Sequence, residues 1–176
     1  MQQFTNETID INTLPKYEET KLTAPAPKYW SVMVLNLIIF TILSGGGLAL
    51  LLLIDEDMRN NWLIFIGPFS LIIISLFILY RASFKRRGYA LREKDVLYKS
   101  GVIAETTTIV PLNRIQHVAL NEGFISRMFK LGTLHIYTAG GSSGEIRIAG
   151  IPIENAKAIK EVLMQQLATE VIREGE

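Results

Sequence analysis

Two histidines, two arginines and a lysine crowd one stretch of the chain, VPLNRIQHVALNEGFISRMFKLGTLHIYTAG, Val110 to Gly140. Side chains of these types could hold a metal, move a proton or grip an anion. His117 and His135 have no cysteine to join them anywhere in the chain and no clustered carboxylates, which makes a poor metal set. Each falls within an expected strand and reads as an ordinary sheet residue. Arg114, Arg127 and Lys130 fit an anion pocket better, because guanidinium forks match carboxylate and phosphate. The plainer reading is that the arginines tie down local backbone and that Lys130 is a solvated charge. Glu93 and Asp95 flank a turn, where solvated acids belong. GGSSGE from Gly140 is rich in glycine but joins two strands and opens no helix, so it lacks the amide-lined terminus that cradles phosphate. No serine lies in a nucleophile elbow. The residues point to no metal, no cofactor and no catalytic constellation, and the chain reads as a non-enzyme.

The elements that would position these residues come in two materials. Apolar residues make up 49% of the 176, and the excess lies between Tyr29 and Tyr80. Tyr29–Ile54 and Trp62–Tyr80 carry no charge, and at about 1.5 Å per residue each can cross roughly 30 Å of hydrocarbon. Soluble helices keep a polar face, and these have none. The first run follows a polar tail and is too long for the apolar region of a cleaved signal, so both read as permanent spans. The short connector, DEDMRNN, forces them into an antiparallel hairpin. Lys16, Lys21 and Lys28 precede the hairpin and Arg81, Lys85, Arg86 and Arg87 follow it, against Arg59 alone in the connector. The positive-inside rule then puts both termini in the cytoplasm of a cell whose plasma, or inner, membrane holds the chain. The basic cluster from Arg81 to Arg87 could also face anionic lipid heads. In the first span Thr41, Gly45 and Ala49 recur every four residues, a small face suited to close helix packing against the second span, a second copy or another membrane protein. Gly67-Pro68 should kink the second span. Residues 1–28 read as a flexible cytoplasmic tail ending in the extended spacer APAPK.

From Gly88 the chain is neutral, with ten acidic and ten basic residues, which excludes a nucleic-acid surface. β-rich runs follow at Tyr89–Arg92, Val96–Lys99, Ala104–Val110 and Ile115–Leu120. FISRMFKLG suggests about two helical turns, with Phe124, Met128 and Leu131 on one face and Gly132 as the cap. Thr133–Thr138 alternates, Leu134 and Ile136 to one side, Thr133, His135 and Tyr137 to the other. AGGSSGE turns the chain into Glu145–Ile151. Pro152 suits the first turn of a helix whose Ile153, Ala156, Ile159, Leu163 and Leu167 form one apolar stripe. The expected architecture is a two-helix transmembrane hairpin (29–54 and 62–80) plus a mainly-β, α+β domain at 88–168, with a tail at 169–176. Its antiparallel sheet, bent or curled into a small barrel, is capped by the C-terminal helix.

VPLNRIQHV, GFISRMFKLGTLHIYTAGG and GEIRIAGIP, with the hairpin ahead of them, resemble the bacterial PH-like domain of the membrane-flanked, DUF304 or bPH2 type. The likeness runs from about Gly88 to Leu167 and is to the small members that carry one copy of the domain. It implies a pleckstrin-homology-like fold, although a full barrel has seven strands and about six are counted here. It also implies a larger relative with several copies as partner and a role in envelope maintenance or defence, and it hands over no site. The partners expected are therefore membrane lipids and a membrane protein, or a second copy of the chain.

Overall fold

The computed structural model describes residues 17–138 and 144–174, with side chains from Glu18 to Leu167. Three helices form the hairpin: α1 (Pro27–Ile54), the short α2 (Glu56–Asn60) and α3 (Trp62–Arg86). Pro27 opens α1, where its missing N–H would have had no partner. Asp55 ends α1 and caps α2, its carboxylate accepting from the Met58 N–H at 3.0 Å. α3 stays helical through Pro68. Both long helices are apolar enough to cross a membrane. They meet at two levels. Near the connector, Gly45 faces the Phe69 ring. At the other end Trp30 stands edge-on to Phe77 at 5.6 Å and tilted against Phe84 at 5.9 Å.

α3 does not stop at Tyr80, where the uncharged run ends. It continues through the basic cluster to Arg86, because leaving lipid removes the apolar requirement without breaking the backbone ladder. Arg87 alone separates it from β1 (Gly88–Leu91). Then come β2 (Asp95–Ser100), β3 (Thr106–Pro111), β4 (Ile115–Asn121), α4 (Phe124–Met128), β5 (Leu131–Thr138), β6 (Glu145–Pro152) and α5 (Ile153–Glu174). β1-β2-β3 and β4-β5-β6 are two antiparallel meanders, so six strands are described. The loop residues 139–143, most of the expected AGGSSGE turn, lie outside the described residues.

The alternation read in β5 holds: Leu134 and Ile136 are buried, along with Ile148 and Ile151 of β6. α5 seals this core with Ala156 and Leu163, backed by Ile159 and Leu167, and runs past the expected end at 168. Burying Leu163 contributes about 1.5–3 kcal/mol to holding the helix on the sheet.

The stretch from 124 to 132 departs from expectation. α4 is a single turn, and Leu131 and Gly132 belong to β5. The turn is made by Lys130, at φ 57°, whose carbonyl accepts the N–H of Ile153 at 3.0 Å. Gly132 serves packing instead of capping. A Cβ there would lie 2.8 Å from the Leu120 side-chain tip and 3.3 Å from that of Ile153, so a larger residue would push the ends of both side chains aside. Pro152 is the last residue of β6, not the first of the helix.

Candidate functional site at the membrane joint

The described structure concentrates its unusual features where the hairpin meets the domain. Before α1 the described chain makes a 3-10 turn at Tyr17–Glu19 and then runs without helix to Ala26, so that Pro27 and Lys28 of the expected spacer belong to α1, and this segment is fastened to the domain. Thr23 and Tyr89 exchange both backbone hydrogen bonds, at 2.7 and 3.0 Å, so the chain adds one antiparallel bridge to the outer edge of β1. Leu22 covers Gly88, and the Thr20 hydroxyl accepts from Arg92 at 3.3 Å. Arg92 is fixed in turn by a bidentate pair with Asp95, both contacts 2.6 Å, across the β1–β2 turn.

A bulge opposite Gly132 supplies the next fastening. β5 pairs Gly132 with Ile151 and Thr133 with Ala149, which leaves Gly150 unpaired at φ 80°. Its freed carbonyl accepts the Ala26 N–H at 2.9 Å, one residue before α1 begins. The Tyr29 ring lies on the same glycine, and the Tyr29 hydroxyl meets Arg87 at 3.3 Å. The start of α1 is thus bonded to the domain, and its Tyr29 to Arg87, the residue that ends α3.

The basic cluster is largely engaged here. Arg81 stacks on Trp30, 5.0 Å from the ring centre. Arg86 donates to the Val102 carbonyl at 2.6 Å and pairs with Glu105 at 3.5 Å, while Arg87 also donates to Ser83 at 3.1 Å. Lys85 is exposed and makes no polar contact among the described residues. It lines an open cleft of about 380 Å³ with Arg86, Arg87 and Lys99. Lys99 was not singled out in the sequence. It pairs with Glu105 at 2.8 Å, and that hydrogen bond, with the lysine's charge, holds the carboxyl below its usual range. The cleft therefore keeps a surplus of positive charge.

Arg114, Arg127 and Lys130 are not brought together. Arg114 precedes β4, whereas Arg127 and Lys130 follow its far end. The seven residues of β4 put about 20 Å between them. All three side chains are exposed. Of the small stripe in α1, Gly45 packs on Phe69 of the same hairpin, and Thr41 donates to the Leu37 carbonyl at 2.8 Å.

The histidines lie in a polar group on the outer face of the second sheet. His135 Nδ1 meets Glu145 at 2.6 Å, Arg147 donates to the other carboxylate oxygen at 2.6 Å, and the Tyr137 ring lies against that of His135. The His117 ring is tilted against Tyr137, ring centres 4.8 Å apart. Arg147 and His135 together hold Glu145 at about 2. A carboxylate so saturated is a poor base near neutrality, and because it only accepts, it fixes the hydrogen on Nδ1 of His135. The group clasps β5 to β6. Period-2 alternation placed 133, 135 and 137 outward, but only the register showed which partners they meet.

Residues 30–167 match the family described as bacterial PH domain. The chain belongs to this family. Over 112 residues it is 28% identical to the UPF0699 transmembrane protein YdbT of Bacillus subtilis (strain 168), covering 62% of this chain and 23% of that protein. Over 67 residues it is 33% identical to the UPF0699 transmembrane protein YdbS of the same bacterium, covering 38% of this chain and 42% of that one. The matched regions thus span less than half of either relative. No solved structure matches significantly. The molecule is a membrane-associated bacterial PH domain protein, and no enzyme family is indicated.

Proposed function

We propose that this chain is a non-enzymatic, multi-pass protein of the inner membrane with both termini in the cytoplasm, and that its PH-like domain acts by binding another membrane protein at the cytoplasmic face. A larger relative carrying the same domain is the favoured partner, in envelope maintenance or defence. The basic residues at the domain end of the hairpin, against a connector with three acids, support the orientation.

The observation that carries the reading is a glycine run that the hairpin only partly uses. Gly45 meets Phe69, but Gly46 and Gly47, the next two residues of α1, have nothing within 4 Å of where a Cβ would stand. A mid-helix glycine costs about 1 kcal/mol relative to alanine, and these two recover nothing among the described residues. A second helix closing on them would use that smooth face. The test is purification of the tagged full-length protein from its native membranes in mild detergent, beside a Gly46→Leu/Gly47→Leu variant. A near-stoichiometric membrane protein that is lost from the variant supports the reading. A protein that comes out alone in both preparations overturns it.

The cleft at Lys85, Arg86, Arg87 and Lys99 favours a second reading, an anionic-lipid module. Lipid retained by the purified protein should then be enriched in anionic species, and Lys85→Gln/Lys99→Gln should release it at lower salt. Equal retention by both proteins would count against the cleft.

A further inference from the structure

Of the domain's exposed large apolar side chains among the described residues, the three barest, Ile103, Phe124 and Met128, all occur where the domain is fastened to the hairpin, while Leu91, Ile109, Val162 and Met164 are at most 45% exposed. Phe124 is 84% exposed and Met128 68%, one helical turn apart on α4. α4 lies against α1, and Phe129 and Lys130 just after it share a cleft with Ala26, Pro27 and Lys28, where α1 begins. Ile103, 95% exposed, sits in the β2–β3 loop, which Arg86 ties to the last turn of α3 through Val102 and Glu105. The Trp30–Arg81 stack puts the start of α1 and the end of α3 at one level, with an amphipathic ring of the kind that settles among headgroups. Scattered exposed apolar residues need no explanation. These are held on two flanks of one membrane exit, and on α4 they stand beside Arg127, Lys130 and Lys28, which remain exposed.

We infer that α4 and the β2–β3 loop rest in the headgroup–acyl boundary of the bilayer that holds the hairpin. Phe124, Met128 and Ile103 enter the upper acyl region, while Arg127 and Lys130 meet lipid phosphates. Apolar tips flanked by cations are the chemistry of interfacial insertion. The occupant is lipid, and continuity with the spans argues for it over a protein. The domain would then be pressed onto the membrane in a fixed orientation, with its second sheet's outer face turned away. This rests on the hairpin spanning the membrane and is independent of any partner.

The chain has no cysteine, so single nitroxide labels can be placed on the full-length protein. Phe124→Cys, Met128→Cys and Ile103→Cys would be labelled in nanodiscs of phosphatidylcholine and phosphatidylglycerol, with Gln116→Cys on exposed β4 and Ile72→Cys in mid-α3 as references. The expected ratio of oxygen to nickel-chelate collisions at the three sites is several-fold above that at Gln116→Cys, moving towards that at Ile72→Cys. A ratio equal to that at Gln116→Cys, with Ile72→Cys in lipid, overturns the inference alone. So does protection from both reagents, which would mean that protein covers the patch. An aqueous profile at Ile72→Cys would instead sink the membrane reading beneath it.

Discussion

At Gly150 one residue serves three contacts at once. Its φ of 80° makes the bulge, its carbonyl receives Ala26, and its bare α-carbon admits the Tyr29 ring. A Cβ there would lie 2.6–2.9 Å from three atoms of Tyr29, and the backbone conformation is one that side chains resist. Gly150→Ala should therefore destabilise the protein by roughly 1–3 kcal/mol through strain and displacement of the ring. Thermal unfolding of the wild type and variant in one detergent would check this. Since Tyr29 belongs to α1, a second variant, Gly150→Ala/Tyr29→Ala, should recover part of the loss if the collision is the cause. No recovery would leave backbone strain as the whole effect. The sequence marked Gly150 only as part of a family-like string. Its purpose depends on a ring more than a hundred positions away.

Among the elements, local pattern and tertiary partner divide cleanly. The alternation in β5, the stripe of α5 and the two apolar runs were legible because each is a period set by burial on one face. Boundaries set by something other than burial were not. α3 outlasts its apolar run by six residues, as 86 against 80, since helix continuity needs no lipid. α4 keeps one turn because Leu131 is worth more in the core strand than on a helix face. The clasp on β5 and β6 was missed because its members, ordinary one by one, meet only through register. It makes a pH-dependent prediction. Glu145 titrates at about 2 in the folded protein, against 4.5 ordinarily. A depressed carboxyl contributes stability above its unfolded value and loses it as pH falls towards the folded one. The melting temperature of the wild type should exceed that of Glu145→Gln near neutral pH, and the gap should close between about pH 5 and 2. A gap that is constant across that range would show that the charge plays no part in the clasp.

On the scale of the whole molecule, the joint decides what the domain can do. A lone residue, Arg87, links α3 to β1, and the segment before α1 bonds to both β1 and β6. A domain held by one flexible tether could turn any face to the membrane. One bonded from both spans has a single face to offer, which is why exposed residues beside the joint carry more meaning here than exposed residues elsewhere. The bridge at Thr23 is the part of this coupling most open to test. Thr23 and Tyr89 exchange both backbone hydrogen bonds, a pairing that sets Cα atoms about 5.5 Å apart, within the range a disulfide spans. In this cysteine-free chain, Thr23→Cys/Tyr89→Cys should close an intramolecular disulfide under mild oxidation in membranes, seen as a mobility shift reversed by reductant. Thr23→Cys/Gln116→Cys should not, because β4 lies in the other sheet. Cross-linking in both pairs would describe a tail that wanders over the domain. Cross-linking in neither would remove the bridge, and with it the argument that the N-terminal segment holds the domain to the membrane in one orientation.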